Sequence, residues 1–174
     1  MQALLSTTYF GPVQWYQKLC RYDSVLIERC DTYRKQTYRN RCVIATANGL
    51  QALTVPVERT DDGRRMLTRD VRISDHGNWR HLHWHALMSA YSPAVTPCAA
   101  PVDGAAPPLP RAEAGGAMAD DYRDAIDPKH PLPDPAFEPR PYYQVFARRH
   151  GFRPNLSVLD LLFNMGPEAI FWLV

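Results

Sequence analysis

Residues Gln2 to Cys30 read QALLSTTYFGPVQWYQKLCRYDSVLIERC, and the interpretation of this stretch decides the fold. QALLSTT, residues 2–8, reads as a short strand that ends in polar residues. Pro12 suits the first turn of a helix, where its missing N–H costs nothing. Val13, Tyr16 and Leu19 then recur at helical spacing, with Cys20 beside them. Asp23 breaks the pattern, and SVLIERC, residues 24–30, is the next strand. The order is β-loop-α-β, so an α/β fold is expected. The loop Tyr9–Gly11 faces the N–H groups of the helix start, a natural place for an anion. Tyr9 is therefore a ligand-binding candidate, and a plain tight turn is the competing reading.

Working outward, Asn48-Gly49 stands between CVIATA and LQALTVPV, two runs rich in β-branched residues, which is a strong hairpin signal. Pro56 fits an end or an edge of the second strand. DVRISD, residues 70–75, offers one more short strand, and RTDDGRRMLTRD before it reads as a charged surface loop. Asp75, Gly77 and Asn78 supply helix-start chemistry for WRHLHWHALMSAY. Trp79, Leu82, Ala86 and Ala90 follow at steps of three and four, flanked by Leu87 and Tyr91. On such a helix His83 lies opposite His81 and His85, so the three imidazoles cannot converge on one metal ion. His81 and His85 remain an i, i+4 pair, but the glutamate of H-E-x-x-H is missing and no metal is assigned.

Beyond residue 93 the composition changes. Residues 94–119 are rich in Ala, Pro and Gly without an aromatic or a hydrophobic period, and a disordered insertion is expected there. The sequence thus divides into an α/β part (1–93), a linker (94–119) and a helical part (120–174) of one domain. In the last part, Tyr122, Ile126 and Phe137 are anchors for a proline-rich extended arm. Pro141 is expected to open a helix over PYYQVFARRH that Gly151 closes in a left-handed conformation. A final helix starts at Ser157, with Asp160 in the capping-box position and Gly166-Pro167 as the stop. The expected architecture is a mixed sheet with an antiparallel hairpin and flanking helices.

Composition narrows the function less. The chain of 174 residues is 45% hydrophobic, enough for one core, and its net charge of +2 does not argue for nucleic acid or membrane. Only Lys18, Lys35 and Lys129 are lysines; the remaining bases are arginines, whose planar fork suits phosphate and carboxylate. Cys20, Cys30, Cys42 and Cys98 form no C-x-x-C pair and fit no zinc spacing. No apolar run reaches the roughly 20 residues of a membrane span, and MQALLSTTYF lacks a basic leader region, so a cytoplasmic protein is expected. No G-x-S-x-G, P-loop or dinucleotide fingerprint occurs, and the cofactor is unknown.

Five segments carry a family resemblance: YFGPVQWYQKL, KQTYRNRCVIATANGLQALTVPVE, DVRISDHGNWRHLHW, DPKHPLPDP, and PYYQVFARRHGFRPNLSVLDLLFNMGPE. Through them residues 1–93 and 120–174 resemble the WbqC-like family of bacterial proteins. Tyr9, Pro12, Lys18, the pair Asn40-Arg41 and Ile44 match its pattern. Two departures stand out. Ser6-Thr7-Thr8 replace the usual Gln-Pro at the first loop. Residues 94–119 bear no likeness to the aromatic, acidic helical stretch of relatives, which leaves open an incomplete core or one completed by a partner. The resemblance implies a role in O-antigen or other surface-polysaccharide (lipopolysaccharide) biosynthesis. The reaction it suggests is acyl or aminoacyl transfer to an amino-sugar, an inference by association.

Candidate site residues follow from charge and placement. If residues 35–41 form a strand, Lys35, Arg39 and Arg41 share a face, with Asn40 beside them, and could hold the phosphates of a nucleotide-sugar or acyl donor. An edge strand guarded by basic residues would look the same. His76 and His81, near Trp79 and Arg80 at a helix start, are the candidate catalytic bases, and Arg80 a further ligand contact. A structural cap and turn is the alternative there. The expected partner is a small anionic molecule; residues 94–119 offer a place for a protein. The second functional class is a non-catalytic binding or assembly protein for a phosphorylated ligand or RNA. Nucleic acid is disfavoured, since only Tyr33 and Tyr38 interleave the basic run.

Overall fold

The computed structural model describes residues 1–58, 66–92 and 119–174. The first unit forms as its sequence pattern dictates. Strand β1 (Gln2–Ser6) leads through a loop into helix α1 (Val13–Arg21), and the chain returns as β2 (Ser24–Glu28), parallel to β1 with Leu4 opposite Leu26. Ala3 and Leu5 are fully buried, and the Trp15 indole N–H donates to the Ser6 carbonyl at 2.9 Å, pinning α1 over the end of β1.

Strands β3 (Arg41–Thr46) and β4 (Gly49–Thr54) form the antiparallel hairpin, with Gly49 at φ +112, a conformation that favours glycine. The strand expected at 70–75 is reduced to one antiparallel bridge, Val57 to Ile73, and a 3-10 turn, Thr68–Asp70, precedes it. Helix α2 (Trp79–Tyr91) packs across the hairpin. After the second break β5 (Asp120–Asp121) adds parallel to β1 on the side away from β2. The short helix α3 (Ala147–His150), helix α4 (Val158–Met165) and a 3-10 stretch (Gly166–Trp172) complete the described chain.

The fold is thus α/β, with parallel strands, an antiparallel hairpin and flanking helices as expected. Among the described residues the hydrogen bonding divides them into two sheets, β2-β1-β5 and β3-β4. The insertion expected at 94–119 lies outside the described residues except for Ala119, as does most of the charged loop before Thr68.

Three apolar clusters form the core. Leu5, Trp15 and Ile126 fill the space between parallel sheet, α1 and the arm. Cys42, Ile44, Leu53, Ala90 and Tyr91 join hairpin to α2, with Tyr9 against them. Val13, Tyr142, Leu161, Ala169 and Leu173 join α1 to the C-terminal elements. The proline-rich arm is anchored by polar contacts as well as by Tyr122 and Ile126. Lys18, on α1, is buried and lies 3.0 and 2.9 Å from the two Asp134 carboxylate oxygens, with its ammonium over the Tyr122 ring. Gln14 donates to the same carboxylate at 2.7 Å.

Three local expectations are corrected. Residues 141–144 are irregular and 145–146 a turn rather than helix, which is confined to Ala147–His150, because Tyr142 and Gln144 both turn inward. The Gln144 side chain bonds the N–H and carbonyl of Arg153, and Asn164 accepts the Val145 N–H. Asp160 forms no capping box; its carboxylate is buried between the Tyr91 and Tyr142 hydroxyls, at 2.7 and 2.8 Å. Leu82 is 65% exposed, and the buried face of α2 runs through His83, Ala90 and Tyr91 instead.

Candidate functional site

In a parallel sheet the strand ends leave a crevice on the carboxyl side, where α/β proteins place ligands. Here the segments following β2 and β5 enclose a cleft of about 600 Å³ lined by Asp31, Thr32, Tyr33, Arg34, Arg123 and Asp124. Arg34 pairs with Asp124 and Arg123 with Asp121. Both guanidiniums are partly exposed, and Arg123 beside Asp121 holds that carboxyl below the usual carboxylate range. Exposed ion pairs contribute only about 0–1 kcal/mol, so either arginine can exchange its carboxylate for a ligand phosphate at small cost.

Behind the cleft the donors are less fully used. Residues 35–40 form turns rather than a strand, with Gln36 at φ +62, so the alternation of Lys35, Arg39 and Arg41 along one face is not realised. Lys35 is exposed on the turn. Arg39 folds inward, its side chain only 4% exposed, to bond Asp31 and the Ser6 hydroxyl, the latter at 3.0 Å. Among the described residues its Nε has no partner, and neither has the buried Tyr33 hydroxyl. Burial pushes the Tyr33 phenol above its ordinary value, while Arg39 and Arg41 nearby pull it down. Asn40 donates to the Val55 carbonyl at 2.8 Å and leaves its own oxygen unpartnered. Arg41 uses Nε on the Thr54 hydroxyl at 3.2 Å. Tyr33, Arg39 and Arg41 are therefore one cluster with donors to spare.

The imidazole candidates lie elsewhere. His76 is exposed on the turn before α2, and its N–H donates to the Ser74 hydroxyl. Arg80 is exposed, paired with Asp75 at 2.8 Å and stacked over Trp79. His81 is exposed with its Nε2 2.8 Å from that of His85. Neither His76, Arg80 and His81 nor Tyr9, Lys35, Arg39, Asn40 and Arg41 are among the residues that line the cleft. Thr54 stands between the two groups, since its hydroxyl accepts from Arg41 and its carbonyl faces His83.

His83 is the residue that sequence reasoning missed. It is buried on α2, and its Nδ1 lies 3.0 Å from the Tyr9 hydroxyl, with Trp79 edge-on to the ring. Burial pushes the imidazole below its ordinary value, opposed by the Thr54 carbonyl. A ring N–H given to that carbonyl leaves Nδ1 as acceptor for the Tyr9 proton. Tyr9 also donates its backbone N–H to the Tyr38 carbonyl at 2.8 Å, so the first loop is tied to both the turn at 38 and to α2. The available signal was the four-residue step from Trp79 to His83, masked by the polarity of histidine.

The structure is therefore an α/β scaffold with an arginine-lined cleft at the ends of parallel strands. The chain belongs to the WbqC-like protein family, whose model matches residues 7–99. A curated protein of Mycobacterium tuberculosis (strain ATCC 25618 / H37Rv), described as uncharacterized protein Rv1507c, is 31% identical over 93 residues. That alignment covers 53% of this chain and 39% of the relative, so the chain spans about two fifths of the relative's length. No solved structure matches. Among the described residues no helix is long and apolar enough to cross a membrane.

Proposed function

We propose that this protein binds an anionic, phosphate-bearing donor in the cleft beyond β2 and β5 and acts on a surface-polysaccharide precursor. The observation that carries the binding half is the buried Tyr33 hydroxyl, which lines the cleft with Arg34 and Arg123 and has no partner among the described residues; Arg39, paired with the cleft's Asp31, also keeps its Nε free among them. A buried polar group without a partner costs about 1–3 kcal/mol, a cost that a phosphate oxygen within reach would remove. The glycan half rests on family resemblance, which suggests acyl or aminoacyl transfer to an amino-sugar. In that reaction Tyr33, Arg34 and Arg123 hold the donor in the cleft, Lys35, Arg39, Asn40, Arg41 and Tyr9 act from outside its lining, and His76 or His81 takes the amine proton.

Calorimetric titration with nucleotide-sugars and acyl-coenzyme A tests this directly. Arg41→Ala is expected to abolish binding while leaving the thermal midpoint almost unchanged, since among the described residues Arg41 makes one exposed side-chain bond. Unaltered affinity in that variant would remove the site. A second reading, binding without catalysis, is favoured by one fact: neither candidate base lines the cleft. Under it, His76→Ala and His81→Ala are both silent in a transfer assay; a loss of turnover in either supports the transferase.

A further inference from the structure

We propose that His81 and His85 form a copper-binding site on the outer face of α2, with the Met88 thioether one turn further on as a softer donor. Both imidazoles are exposed, their Nε2 atoms are 2.8 Å apart, and their ring centroids are 4.1 Å apart at 56°. Residues four apart on a helix are neighbours on its surface, so the backbone itself holds the two rings together. Two ring nitrogens this close share either a proton or a metal ion.

The separation selects among metals. An ion about 2.0–2.1 Å from each nitrogen would see the pair at about 85–90°, the cis angle of tetragonal coordination. A tetrahedral ion such as zinc needs about 109°, which would spread the nitrogens to about 3.4 Å. Imidazoles in tetragonal geometry suit Cu(II) or Ni(II), and the affinity order of divalent metals puts copper first. Met88 follows His85 by three residues on the same face and is 42% exposed, and thioether sulfur is a ligand that copper accepts. His83 takes no part, because it points inward to Tyr9. The site is a two-histidine chelate, distinct from the three-histidine centre that the helical spacing rules out. It lies outside the cleft lining but takes up His81, one of the two candidate bases, so a copper-loaded chain leaves His76 as the base of the proposed transfer.

The test is titration of the whole chain with Cu(II) at neutral pH, followed by calorimetry and by quenching of Trp84, an indole 61% exposed on the same helix. One equivalent is expected to bind, with electron paramagnetic resonance showing hyperfine structure from two nitrogens. His81→Ala and His85→Ala should each weaken binding by about 10²-fold, because a chelate becomes a single contact. His130→Ala, at an exposed histidine elsewhere, should leave it unchanged. Equal affinity in the wild type and the His81/His85 double variant, or a spectrum without two-nitrogen coupling, would overturn the assignment. Circular dichroism of each variant confirms that the helix is retained.

Discussion

At the scale of single residues, the chain places polar groups where sequence patterns expect apolar ones. His83 faces the hairpin because the Tyr9 hydroxyl and the Thr54 carbonyl satisfy its ring. A depressed imidazole has a definite linkage consequence. In acid the unfolded chain takes up a proton at its ordinary value of 6.5 while the folded ring resists it. His83 therefore contributes stability that is present above 6.5 and lost as the pH falls through its folded value. Thermal midpoints measured between about pH 5 and 8 should drop on the acid side, and His83→Gln should flatten that slope. An identical slope in the variant would show that other groups carry it. Tyr9 was legible as a candidate because it follows the first strand; its partner was not, because hydropathy scores histidine as surface.

At the scale of elements, the ends of helices matter more than their middles. Ser157 was readable as the cap of α4, and its hydroxyl accepts the Leu159 N–H at 3.3 Å. It also donates to the Phe10 carbonyl at 2.7 Å, and its own N–H bonds the Val43 carbonyl. Val13 and Leu156 add another backbone bond, so α4 begins where α1 begins and where β3 passes. Ser157→Ala should cost about 1–2 kcal/mol, at the upper end for a helix cap, and urea unfolding measures it. A cost near zero would mean that water replaces both bonds. The misread helix at 141–146 belongs to this scale too. Its local pattern permits helix, but Asn164 and Asp160 on α4 bond Val145 and Tyr142 and hold them out of it.

At the scale of the whole molecule, the proline-rich arm clasps the first helix. Lys18 and Asp134 are 1% and 2% exposed, far apart in sequence, and each depends on the other for solvation lost on burial. Removing one partner from such a pair costs about 3–5 kcal/mol, because the remaining charge stays buried alone. Asp134→Ala should therefore destabilise the chain strongly and open the arm around residues 127–140 to limited proteolysis. A variant that unfolds as readily as the parent would show that the apolar anchors Tyr122 and Ile126 suffice.

The β-loop-α-β start, the Asn-Gly hairpin, the helix after Asn78, the helix after Ser157 and the family itself were legible in the sequence. Each rests on interactions between residues close in the chain, where period, cap and turn chemistry act. The tertiary structure alone decided that Arg39 turns inward, that Lys18 meets Asp134, that His83 meets Tyr9, and that the cleft draws on Arg34 and Arg123. Lys18 with Asp134, His83 with Tyr9, Arg34 with Asp124 and Arg39 with Ser6 join segments dozens of residues apart, and burial selects such pairings by leaving each charge or hydroxyl one place where a partner remains within reach.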